Sequence, residues 1–125
     1  MNQRTILIAA ALLGALSVGL GAFATHALKS ILIANGRLET FELAVRYQFY
    51  HTAALLAVGI LCEKFPRVSS AGIFFIAGIV IFSGSLYILS LTGQTIWGAV
   101  TPLGGAALIA GWLKFAWAIY RQRPN

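Results

Sequence analysis

The chain has 125 residues, of which 59% are hydrophobic and only 10% are charged. This composition excludes a soluble globular domain, because too few polar side chains remain to cover a surface that faces water. The net charge of +6 could indicate a nucleic-acid partner in a soluble protein, but no stripe of basic and aromatic residues accompanies it. We therefore expect the lipid bilayer as the surroundings of the chain, and no nucleic-acid partner.

The first apolar run carries no charge between residues 5 and 25. It predicts a membrane span over residues 4–25, because roughly 20 apolar residues cross a hydrocarbon core of about 30 Å. The run ends in Ala22-Phe23-Ala24, which resembles the cleavage site of a secretory signal peptide. It is longer than the apolar core of about 7 to 15 residues that such peptides have, so we expect a span that is retained.

A short amphipathic segment follows this span. Leu28, Ile31 and Leu32 share one helical face, and Asn35-Gly36 is a sequence that ends helices. The pattern predicts a short helix at the membrane interface.

Three further spans are predicted over residues 38–62, 69–92 and 98–119. The stretch from 68 to 113 carries no charge and is more than twice the roughly 20 residues that one passage needs, so it holds two passages and a turn. The predicted fold class is all-α: a polytopic membrane four-helix bundle in a single domain over residues 1–125, with the short interfacial helix between spans 1 and 2.

The basic residues predict the orientation. Four spans place both termini on one side, and cytoplasmic segments carry an excess of Lys and Arg. With the termini inside, the cytoplasmic side holds twice as many basic residues as the outer side: Arg4, Lys64, Arg67, Lys114, Arg121 and Arg123 against Lys29, Arg37 and Arg46. We expect a multi-pass protein of the bacterial inner membrane with both termini cytoplasmic.

Small residues recur in the spans at spacings that let helix backbones approach closely in lipid. They predict either a dimerisation face or packing within one bundle, and we favour the second because a bundle must first pack itself. The glycines predicted to serve helix packing are Gly19, Gly84, Gly104, Gly105 and Gly111.

Polar residues collect in the outer half of the predicted bundle. Polar side chains facing lipid are energetically unfavourable, so these residues should turn toward one another. They form either a pocket open to the outer side or hydrogen-bonded contacts between helices, which are common and contribute about 0.6 kcal/mol each. The candidate pocket residues are His26, Arg46, Tyr47, Gln48, His51, Ser83, Ser85, Tyr87 and Thr101.

The sequence contains no pattern that predicts catalysis. GxSxG, HExxH, CxxC and Walker motifs are absent, and the only acids, Glu39, Glu42 and Glu63, lie at predicted helix ends. We expect no enzyme, no metal and no cofactor. His26 and His51 leave open one alternative, a haem or quinone site, because imidazole suits iron, copper and zinc.

Four motifs resemble one known family. They are Gly21-Ala22-Phe23-Ala24-Thr25-His26-Ala27-Leu28, Phe41-x-x-Ala44-x-x-Tyr47-Gln48-x-x-His51, Phe82-Ser83-Gly84-Ser85-Leu86-Tyr87 and Thr101-Pro102-Leu103-Gly104-Gly105. Together they resemble the YgdD-like family of small bacterial inner-membrane proteins, which has mitochondrial relatives and is classed as a domain of unknown function. The resemblance implies a four-helix membrane bundle without an assigned reaction.

The function favoured by the sequence is that of an accessory or scaffold protein without enzymatic activity. It would bind another membrane protein, a second copy of itself or lipid, through the small-residue faces and the outer polar pocket. A small oligomeric transporter or channel is the alternative, and a haem- or quinone-binding membrane protein is the second alternative.

Overall fold

The computed structural model describes residues 1–124, and its regular structure is entirely helical over that range. The helices are α1 (Gln3–Thr25), α2 (Lys29–Ala34), α3 (Leu38–Leu61), α4 (Ser69–Thr92) and α5 (Thr101–Arg121). Short 3₁₀ turns at Pro66–Val68 and Thr95–Ala99 precede α4 and α5. The predicted all-α class is confirmed, and a short helix lies between the first two long helices as expected.

Local sequence explains where the helices begin and end. The side chain of Asn2 accepts a hydrogen bond from the backbone N–H of Thr5 at 2.8 Å and caps α1. Gly36 and Gly93, with φ of 64° and 70°, take the left-handed conformation that ends α2 and α4. The last helix was predicted from residue 98 but begins at Thr101, because residues 95–99 form a 3₁₀ turn.

The four long helices pack in chain order. α1 lies against α3, α3 against α4, and α4 against α5, whereas α1 and α5 share no comparable interface among the described residues. The arrangement is therefore a row of four helices with α3 and α4 at its centre. Burial agrees: 17% of the residues in the apolar windows of α1 and α5 are buried, against 44% for α4.

Three segments of the described chain are long and apolar enough to cross a membrane: Gln3–Thr25, Pro66–Thr92 and Thr95–Arg121. α3 has 24 residues, but Glu39, Glu42 and Arg46 make its first turns polar. The flanking helices expose large apolar side chains, for example Leu12 at 66% and Leu113 at 66%. Exposing so large an apolar surface to water is energetically unfavourable, so we expect these faces to contact lipid.

Asn35 ties the short helix α2 to the end of α4. Its side-chain amide donates to the carbonyl oxygens of Ser90 at 3.0 Å and Leu91 at 3.2 Å, which belong to the last turn of α4, where carbonyls lack partners within the helix. The sequence had indicated only that Asn35 ends a helix. This longer-range role depends on the antiparallel fold and could not be read from local pattern.

We expect Asn35→Ala to destabilise the protein by about 1 kcal/mol, because both carbonyls lose a hydrogen-bond donor. Unfolding of the purified protein in mixed micelles, followed by circular dichroism, measures the change. Lys29→Ala, at an exposed position of the same short helix, is the control and should leave the unfolding midpoint unchanged. Equal midpoints for the two variants would contradict this role of Asn35.

Candidate functional site

Gln48 lies at the centre of the polar residues and joins three helices. It is 2% exposed on α3. Its side-chain N–H donates to the carbonyl oxygen of Leu13 on α1 at 3.2 Å, and its Oε1 accepts from the hydroxyl of Tyr87 on α4 at 2.6 Å. The backbone carbonyl of Gln48 accepts from Thr52 Oγ1 at 2.7 Å. Two of the predicted site residues, Gln48 and Tyr87, are thus in direct contact.

The predicted serines also form contacts between helices. Ser83 donates to the carbonyl of Ala44 on α3 at 2.7 Å, and the hydroxyls of Ser85 and Thr101 are 2.6 Å apart across the α4–α5 interface. Every buried side-chain nitrogen and oxygen in the described chain has a hydrogen-bond partner. Since no buried polar group points into empty space, the geometry favours hydrogen-bonded helix contacts over an open pocket.

His51 is surrounded by aromatic rings. Its Nδ1 lies 2.7 Å from the carbonyl oxygen of Tyr47, and a carbonyl only accepts, so Nδ1 carries the hydrogen. The ring centroid lies 6.0 Å from each of Tyr47, Phe75 and Trp112. With the hydrogen on Nδ1, the other ring nitrogen, Nε2, is left free of this contact and lies beside these aromatic rings.

His26 is exposed and lies at the end of α1, far from His51. α1 and α3 are antiparallel: Gln48 lies opposite Leu13, and Ala24 packs in one cluster with Phe41. His51 follows Phe41 by ten positions on α3, which at 1.5 Å per residue is about 15 Å along the helix axis. Metal–nitrogen bonds are about 2 Å long, so the two histidines cannot hold one metal ion or one haem iron together.

Metal ligands do not cluster elsewhere in the described chain either. Residues 1–124 contain no group of three or more His, Cys, Asp or Glu side chains placed to hold a metal ion. The haem or quinone alternative was inferred from His26 and His51 acting together, and the structure does not bring these two residues together.

The remaining predicted pocket residues are exposed. Arg46 lines a shallow groove of about 230 Å³ between α1 and α3, together with Glu42 and Gly21. Tyr47 is 37% exposed, and its ring stacks on Phe82 with centroids 4.9 Å apart. The predicted set thus divides in two: the hydrogen-bonded group is Gln48, His51, Ser83, Ser85, Tyr87 and Thr101, and the exposed group is His26, Arg46 and Tyr47.

The packing glycines divide in the same way. At Gly104 a Cβ would meet backbone atoms of Phe82, with Cα at 2.6 Å, and at Gly111 it would meet the ring of Phe75 at 2.8 Å. These two positions allow α4 and α5 to approach closely. Gly105 has ordinary van der Waals space, while Gly19 and Gly84 have nothing within 4 Å, so they contribute no close approach within the chain.

A basic cleft at the opposite end of the molecule was missed by the sequence reading. It has a volume of about 290 Å³ and lies between the connection that precedes α4 and the last turns of α5. Its lining includes Arg67, Ser69, Ser70, Lys114, Trp117 and Arg121. The sequence analysis used these cations only to orient the chain, although antiparallel pairing of the last two spans already brings residues 67–70 toward residues 114–121.

Apolar outer helices with a hydrogen-bonded polar interior define an integral membrane protein. The chain belongs to the family described as Protein of unknown function (DUF423), whose model matches residues 20–105. The membrane protein YwdK of Bacillus subtilis is 43% identical, covering 89% of this chain and 92% of its own length. The inner membrane protein YgdD of Escherichia coli is 37% identical, covering 100% of this chain and 97% of its own length. The resemblance to the YgdD-like family is confirmed, and no solved structure matches.

Proposed function

We propose that the protein is an accessory or scaffold protein of the bacterial inner membrane, without enzymatic activity, that binds another membrane protein through α1. In this proposal the chain crosses the bilayer four times, with α3 as the second passage and both termini in the cytoplasm. The observation that carries the proposal is that the buried polar side chains of the described chain all have hydrogen-bond partners within it, while one face of α1, with Ala11, Leu12 and Ala15, is exposed.

The outer face of α1 suits contact with another helix. Ala11 and Ala15 are exposed, and nothing lies within 4 Å of a Cβ placed on Gly19. These residues are spaced by four, which aligns them along one side of the helix. Small residues at this spacing allow a second helix to approach closely in lipid. The predicted outer pocket has no part in this proposal, because its buried members are engaged in hydrogen bonds.

Photo-cross-linking tests the proposed face directly. A benzophenone amino acid at Ala15 should give one discrete adduct with another membrane protein in intact cells. The same group at Val80, which is 62% exposed on the central helix α4, is the control and should label lipid only. An adduct of twice the protein's mass would assign the face to a second copy instead. Solute flux through the pure protein in liposomes would overturn the accessory role in favour of a transporter or channel.

Cysteine labelling tests the topology. In a Cys62→Ala background, Lys29→Cys and Lys64→Cys place single thiols before and after α3. With α3 crossing the membrane and the termini inside, an impermeant maleimide added to spheroplasts should label position 29, and position 64 only after lysis. The opposite pattern would reverse the orientation, and labelling of both in spheroplasts would contradict a passage by α3.

A further inference from the structure

The basic cleft has defined walls. One wall is the connection between α3 and α4, and the other is the C-terminal part of α5. The two are tied together by a hydrogen bond of 2.9 Å from the backbone N–H of Arg67 to Oε1 of Gln122. This hydrogen bond links the two walls, and the cleft between them, with a volume of about 290 Å³, can receive a small polar group.

Three cations line this cleft. They are Arg67, Lys114 and Arg121, and no carboxylate of the described residues shares the lining with them. Like charges held together raise the energy of a site, and more so where lipid lowers the dielectric constant. A bound anion offsets that repulsion. Arginine is suited to phosphate because its planar fork can donate two parallel hydrogen bonds to phosphate oxygens.

The two serines of the lining indicate which groups accompany the phosphate. Ser69 Oγ donates to the carbonyl of Pro66 at 2.8 Å, and Ser70 Oγ donates to the carbonyl of Arg67 at 2.9 Å. Their hydroxyl hydrogens are engaged, which leaves oxygen lone pairs directed elsewhere as acceptors. A ligand that complements the cleft therefore combines an anionic phosphate with hydroxyl donors.

The surroundings of the cleft fit a lipid rather than a soluble anion. Trp117 is 58% exposed in the lining, and the guanidinium of Arg121 lies 4.8 Å from its ring centroid. Tryptophan is enriched at the level of lipid headgroups. Leu113, 66% exposed on the same helix, continues this surface into the apolar face where acyl chains would lie. Basic pockets at the ends of membrane helices are suited to anionic headgroups.

We propose that this cleft binds the headgroup of an anionic, hydroxyl-bearing phospholipid of the phosphatidylglycerol type. The guanidinium groups of Arg67 and Arg121 and the ammonium of Lys114 hold the phosphate, and Ser69 and Ser70 accept from the glycerol hydroxyls. The site depends on the membrane-integral fold. With both termini in the cytoplasm, as proposed above, the cleft lies at the cytoplasmic leaflet. Binding of the headgroup itself does not depend on that orientation.

Native mass spectrometry of the protein purified in a neutral detergent tests the site. Titration with dioleoyl phosphatidylglycerol should give single-lipid adducts at about tenfold lower concentration than dioleoyl phosphatidylcholine, a difference of about 1.4 kcal/mol in binding free energy. The variant R67Q/R121Q should reduce that preference to less than about twofold. The control K29Q/R37Q removes the same charge at the other end of the molecule and should keep the preference. Lys114→Gln, a single exposed change, provides a second variant and should weaken the preference by a smaller factor.

Three results would overturn the proposal. They are equal adduct formation with both lipids, a loss of preference in K29Q/R37Q as large as in R67Q/R121Q, and displacement of the lipid by an equal concentration of glycerol phosphate, which would assign the cleft to a soluble anion. Since the detergent sample contains neither a leaflet nor a partner protein, failure here leaves the accessory role untouched. Failure of the cross-linking experiment likewise leaves the lipid site untouched.

Discussion

Gly104→Ala is expected to destabilise the protein by about 3 kcal/mol, at the upper end of the range for overpacking. A Cβ at this position on α5 meets the backbone of α4 at Phe82, with the Cα at 2.6 Å. Overpacking usually costs about 1–3 kcal/mol, because neighbouring side chains can turn aside. A backbone cannot turn aside, so α4 and α5 must separate, and Ser85 and Thr101 then lose their hydrogen bond across the interface.

Gly105→Ala is the matched control for this prediction. It changes the adjacent residue of the same helix in the same way, but the new Cβ meets only the ring of Phe82 at 3.8 Å, an ordinary contact. Alanine favours helix over glycine by about 1 kcal/mol, so Gly105→Ala should be neutral or slightly stabilising. Unfolding of both variants by dodecyl sulfate in mixed micelles, followed by circular dichroism, measures the difference. Equal stabilities would show that α4 and α5 do not meet as closely as the structure indicates.

The helices were readable from the sequence because their determinants are local. Uncharged runs of sufficient length and the amphipathic segment before Asn35 predicted the helical segments to within a few residues. The largest deviation was at the start of the last helix, where residues 98–100, including the end of the 3₁₀ turn Thr95–Ala99, were assigned to the following span. Turn geometry of that kind is decided by packing against α4 rather than by composition.

The order of packing was harder to predict, because it depends on contacts between residues far apart in the chain. Gly19 and Gly104 have the same small size, but only Gly104 faces a neighbouring backbone. In the same way, Gln48 and His51 were predicted to belong to one polar group, yet Gln48 turns toward α1 and α4 while His51 lies among aromatic rings. The sequence identified which residues are polar within the membrane. Their hydrogen-bond partners depend on which helices pack against each other, which the local sequence does not show.

The basic cleft illustrates a different obstacle. Arg67 precedes the third predicted span and Arg121 follows the fourth, so the two are far apart in the sequence. The positive-inside rule accounted for both as residues that orient the chain. The fold brings both to one cleft, so a residue can set orientation and also bind an anion.

The second large effect is expected at the hydrogen bond between Tyr87 and Gln48. Tyr87→Phe removes the hydroxyl that donates to Gln48 Oε1 at 2.6 Å. The amide oxygen is then buried on α3 without that partner, at a cost of about 1–3 kcal/mol. Gln48→Leu removes the amide altogether, breaks the contact with Leu13 as well, and should cost at least as much. Tyr47→Phe is the control, because that tyrosine is 37% exposed and its ring can keep its stacking on Phe82.

The double variant Gln48→Leu/Tyr87→Phe distinguishes a hydrogen-bonded network from independent packing effects. With both partners replaced by apolar groups, no polar atom of the pair remains buried alone, so the loss of stability should be smaller than the sum of the two single losses by about 1 kcal/mol or more. Hydrogen bonds between membrane helices contribute about 0.6 kcal/mol on average. A larger coupling here would mean that Gln48 specifies how α1, α3 and α4 assemble, because misassembled arrangements leave its amide unpaired. Strict additivity would instead mean that shape alone determines the packing of these three helices.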